Sequence, residues 1–81
     1  MNDDLLKAID LAQAGQWDAA HGIVQGYESD DTAAWIHAVL HKIEGDLSNS
    51  RYWYRHAGKI EHVNDEAHGE LTLIKEQLAK G

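Results

Sequence analysis

The chain contains no cysteine. That removes disulfide frameworks, thiolate metal centres and cysteine nucleophiles together, while leaving the compartment open. Proline is missing as well, so punctuation between elements must come from glycine. Positive charge is scarce: seven Lys and Arg stand against fourteen Asp and Glu, a formal charge of −7. A chain of that balance is not expected to bind nucleic acid, whose phosphates demand surplus cations. No apolar run approaches the roughly 18 residues of a membrane span. MNDDLLKAIDLAQ starts with acids where an export signal carries basic residues, so a cytoplasmic protein off the membrane is expected. Motifs of the GxSxG, GxxxxGK(S/T) and GxGxxG kinds are absent too, and no enzymatic activity is expected.

What remains is an 81-residue chain, 43% hydrophobic, suited to one small domain over residues 1–81. Gly15, Gly26, Gly45 and Gly58 each follow a segment with helical spacing of apolar residues, the place where a left-handed glycine closes a helix. The first helix carries Leu5, Ile9 and Ala12 on one side. The second carries Trp17, Ala20, Ile23, Val24 and Tyr27. Ser29, Asp30 or Asp31 is positioned to cap a third helix that turns Trp35, Ile36, Val39, Leu40 and Ile43 inward. Asp46 or Ser48 caps a fourth, with Trp53, Ala57 and Ile60 as its apolar stripe, and a fifth starts near Asn64 or Asp65 with Ala67, Leu71, Ile74 and Leu78. No alternating β-branched segment is bounded by turns. The expectation is an all-α, compact bundle of about five helices.

An internal echo relates GQWDAAHGIVQG, from Gly15, to GDLSNSRYWYRH, from Gly45, at an offset of 30 residues. Repeats of that length indicate helical hairpins that cover one another's faces. EGDLSNSRYWYRHAG resembles tetratricopeptide-like hairpins, and WIHAVLHKIEGDLSNSRYWYRHAG with WDAAHGIVQ is similar to a group of short bacterial proteins. The tetratricopeptide resemblance implies one hairpin over about residues 3–27, a second over about 30–60 and a capping helix over about 65–80. The period is short for that family, Ser50 stands where a small alanine is usual, and only two hairpins are present. The fifth helix is therefore expected to close a bundle rather than leave an open peptide groove.

Two surfaces carry functional expectations. Arg51, Arg55 and Lys59 recur every four residues, and with Tyr54 they are predicted to be exposed contact residues on the fourth helix. The acidic stretch ESDD at residues 28–31 is the complementary patch for self-association. On this reading the domain is an interaction module that binds a protein partner or a second copy. The second expectation rests on HAVLH: His37 and His41, one helical turn apart, are spaced to chelate zinc or another divalent metal, with His21, Glu44 or His56 completing the set. The ordinary alternative makes these histidines half-buried boundary residues bonded to Glu44, Gln25 or tyrosine hydroxyls. Trp17, Trp35 and Trp53 are expected to fill the core, and His62 and His68 to lie on the surface.

Overall fold

The turn at Gly45 and Asp46 is assembled from two local preferences. Gly45 takes φ 88° and ψ 9°, a conformation hostile to any Cβ, and its N–H bonds back to the carbonyls of His41 and Lys42. Asp46 then accepts the Asn49 N–H at 3.3 Å and so caps the helix that follows. The computed structural model, which describes residues 2–80, contains five α-helices: α1 (Asn2–Gln13), α2 (Trp17–Gln25), α3 (Asp31–Glu44), α4 (Leu47–Ala57) and α5 (Ala67–Lys80), with a 3-10 turn at Ile60–His62 before the last. No strand occurs among the described residues, as the sequence pattern anticipates.

Helices α1 and α2 pack together, as do α3 and α4, while α5 lies against α1 and α3. The α3 helix touches all four others, and its residues from Ala33 through His41 are buried without interruption. A helix apolar nearly all round belongs at the centre of a bundle, which explains why α3 has no clean polar face. Around it the core gathers Leu5, Ile9, Val24, Trp35, Ile36, Leu40, Tyr54, Leu71 and Ile74. The extents, 28 × 23 × 23 Å, are those of a closed globule rather than of an extended superhelix.

Several details depart from the sequence pattern, each for a local reason. Gly26 is right-handed at φ −73°; the Tyr27 N–H bonds to the Val24 carbonyl and carries the turn onward. The cap of α3, by contrast, is one of the three residues expected, Asp30, which accepts the Ala33 N–H at 2.9 Å. On α4 the buried face runs through Ser50, Tyr54 and Ala57, and Ser50 donates to the Ala38 carbonyl at 2.8 Å. Tyr54 is thus wholly buried, not a surface contact, while Trp53 moves to the rim. Ile60 lies beyond the end of α4 and leaves its stripe, 48% exposed, and Ile43, in the last turn of α3, is 41% exposed. The entry to α5 is capped by Glu66, which takes the N–H groups of His68 and Gly69 at 2.7 and 2.9 Å. Those bonds hold its carboxyl below the usual range.

One buried carboxylate fastens α5 to the second hairpin. Glu70 accepts from Trp35 Nε1 at 2.8 Å, from the Tyr54 hydroxyl at 2.7 Å and from Lys42 Nζ at 2.7 Å. Lys42 also reaches the carbonyls of His62 and Asp65, pinning the connection between α4 and α5. Burial, then the bond to Glu70, pushes the Tyr54 hydroxyl well above its ordinary pKa, so it stays a donor. His62 is not a plain surface residue: its ring lies 4.9 Å from that of Trp35 and bonds to Asp65 at 2.7 Å.

Candidate functional site

Three imidazoles meet where α2 crosses α3. The i, i+4 spacing puts His37 and His41 on one side of α3, with ring centroids 4.9 Å apart. From α2, His21 meets both edge-on, its Nε2 3.0 Å from His37 Nε2 and its centroid 5.4 Å from that of His41. One nitrogen from each of the three rings lies within 4.8 Å of the other two. The crossing is held by Trp17, whose Nε1 donates to the Leu40 carbonyl at 2.6 Å.

Each flank of the cluster is backed by an indole. Trp17 stacks on His21 at 4.5 Å and 17°, and Trp53 stacks on His37 at 4.0 Å and 13°. This places two of the three tryptophans at the histidines, where both are half-buried and pack against the core from its rim; Trp35, 1% exposed, is the one that is fully buried. Exposure falls from His21, which is half-buried, to His41 at 8% and His37 at 4%.

Protonation follows from that placement. Burial, then the neighbouring His21 and His41, lowers His37 to about 4. His21 is lowered as well, chiefly by burial and then by His41, against the opposing pull of Glu44, Asp18 and Glu28. Both rings are therefore neutral near pH 7 and carry lone pairs. His37 Nδ1 is buried without a hydrogen-bond partner among the described residues. Such an atom costs on the order of 1–3 kcal/mol, so it stands out in an otherwise satisfied interior.

Glu44 plays a different part from the one its spacing suggests. Its Oε1 lies 2.6 Å from His41 Nδ1, and because a carboxylate only accepts, Nδ1 is the donor, which leaves Nε2 as the ring nitrogen turned away from Glu44 and free to ligate in the neutral tautomer. It belongs with His41 and Asp46 in a second grouping rather than with the three rings. Asp46 is already engaged by Asn49 and Ser48, which lower its pKa. His56 is not brought in: it is exposed and pairs with the Glu28 carbonyl at 3.2 Å.

The predicted contact residues scatter. Arg51 and Arg55 are exposed and enter none of the ion pairs among the described residues. Lys59 instead sits over the Trp35 ring at 4.8 Å, and Tyr54 is interior. A cleft lined by Asn2, Thr32, Trp35, Ile74, Gln77 and Leu78 has no titratable side chain, which leaves it without acid-base chemistry. No helix among the described residues is long and apolar enough to cross a membrane.

Glu70 and the two stacked indoles escape sequence reasoning. Glu70 does lie on the inward line of α5, one position before Leu71 and four before Ile74, and that was the available signal. No protein family, curated protein or solved structure matches the chain.

Proposed function

We propose that this domain binds a divalent metal ion, zinc or a similar late first-row cation, through His21, His37 and His41. The observation that carries the reading is the convergence of three ring nitrogens from two helices, two of those rings being held neutral by burial. Imidazole nitrogen suits zinc, copper and nickel, whose geometry the protein selects by ligand placement. A tetrahedral zinc centre with bonds of 2.0–2.1 Å separates its nitrogens by about 3.3 Å. One edge here is 3.0 Å and the others fall within 4.8 Å, so loading asks the rings to close by up to about 1.5 Å. Glu44 matches the carboxylate that orients a metal-bound histidine through its other nitrogen.

The test is zinc titration of tag-free apo protein by calorimetry and amide NMR. Stoichiometric binding is expected, with shifts centred on His21, His37 and His41, and about 2.7 kcal/mol of added stability at a hundredfold excess over Kd. His37→Gln and His21→Gln should each abolish it while leaving the circular dichroism unchanged. A folded protein that takes up no zinc, copper, nickel or cobalt refutes the reading.

A second reading draws on the unpaired arginines. Arg51 and Arg55, with exposed Tyr52 and Leu47 on the same helix, form a basic and apolar strip on an acidic protein. Such a strip suits docking of a second copy or an acidic partner, in line with a tetratricopeptide-like module. R51E/R55E should abolish concentration-dependent association in sedimentation equilibrium and preserve the fold; identical behaviour of parent and variant removes this reading.

A further inference from the structure

We infer that the metal held by His21, His37 and His41 keeps one exchangeable coordination position, open on the His21 side and selective for small neutral or singly charged donors. This rests on the proposed metal reading and adds to it what the centre receives.

Among the described residues, no fourth His, Asp or Glu joins the three rings, and cysteine is absent from the sequence. Glu44 is committed at 2.6 Å to His41 Nδ1. The Asp46 carboxylate receives Asn49 through both its N–H and its side-chain amide. His56 is occupied at Glu28. A centre with three protein ligands leaves its remaining position to water or to an incoming molecule, whereas structural centres use four.

Direction comes from burial. His37 lies beneath Trp53, and His41 is nearly covered, so the protein closes the centre on the side of α3 and α4. His21 is the half-exposed member, backed on one face by Trp17. Solvent therefore reaches the rings along the α2 edge.

Selectivity comes from charge. Asp18 stands one helical turn before His21 on α2 and is exposed, and Glu44 is bonded to His41, whose ring lies 5.4 Å from that of His21, so carboxylates flank that approach from both helices. Exposed Glu28 adds to the same negative field at His21. Their field draws a dication inward. It also repels a multiply charged anion, such as phosphate at neutral pH, far more than water, imidazole or azide.

Cobalt(II) reports the coordination number through its visible bands. The protein is loaded with cobalt and titrated separately with imidazole, azide and inorganic phosphate. Imidazole and azide should each alter the cobalt spectrum in a saturable, one-to-one manner, with phosphate at least about tenfold weaker. In D18N/E28Q the phosphate affinity should rise while that of imidazole holds. A cobalt spectrum indifferent to imidazole and azide shows a filled coordination shell and overturns the inference while leaving metal binding intact. A spectrum that changes with protein concentration alone assigns the position to a second chain and overturns it too. Phosphate binding as tightly as azide refutes the selectivity. Absence of any cobalt band or cobalt binding strikes the metal reading itself.

Discussion

Replacing Glu70 by leucine should unfold more of the molecule's stability than any surface change. The side chain is fully enclosed and receives three donors, from Trp35, Tyr54 and Lys42. Leucine strands two buried neutral donors, each worth on the order of 1–3 kcal/mol. Lys42 loses its counter-ion but keeps the carbonyls of His62 and Asp65 and is 14% exposed, which discounts its share. The total is about 3–5 kcal/mol, the usual cost of breaking a buried ion pair from one side. A domain of this size has about 4–12 kcal/mol in all, so the variant should be marginal. Urea denaturation followed by far-UV circular dichroism would show the midpoint falling by roughly 2–3 M, taking a slope near 1.5 kcal/mol per molar. The K42M/E70L pair should cost less than the two single changes added together, because neither partner is then left alone. Strict additivity, or an E70L midpoint within about 0.5 M of the parent, refutes the argument.

Further outcomes follow from other parts of the molecule. With His37 lowered to about 4 and an unfolded value of 6.5, the unfolded chain binds the proton first, so apo stability should decline as pH falls from 6.5 toward 4. The loss attributable to His37 is about 3 kcal/mol, and His37→Gln should flatten that limb of the pH–stability curve. Gly45→Ala meets no atom within 4 Å, so its cost is conformational alone, about 1–2 kcal/mol and a visible drop in Tm. Trp17→Phe removes the bond to the Leu40 carbonyl and should weaken zinc affinity by calorimetry while sparing the fold; unaltered affinity would deny Trp17 any part in holding the α2–α3 crossing.

The legible parts of this fold were those governed by local chemistry. The Gly45–Asp46 reversal depends on a left-handed backbone and a capping carboxylate, both readable from neighbouring residues. The core stripe of α1 and that of α5 follow from spacing alone. On α4 the pattern was ambiguous, because RYWYRH offers three adjacent aromatics and a step of one residue rotates the inward direction by about 100°. Tyr54 won the interior because its hydroxyl finds Glu70, a residue sixteen places away that no local pattern pairs with it. For the histidines, spacing exposed the His37–His41 pair. The arrival of His21 depends on how α2 crosses α3, and the exclusion of His56 on α4 directing it toward Glu28.

The two indoles flanking the imidazoles have a practical corollary. Trp17 and Trp53 sit face to face with rings that would ligate the ion, whereas Trp35 stacks on none of the three and is buried beside Glu70. Intrinsic emission is therefore an optical gauge of occupancy: a paramagnetic cation such as copper(II) should darken the two flanking fluorophores and leave the sealed one glowing, with no label attached.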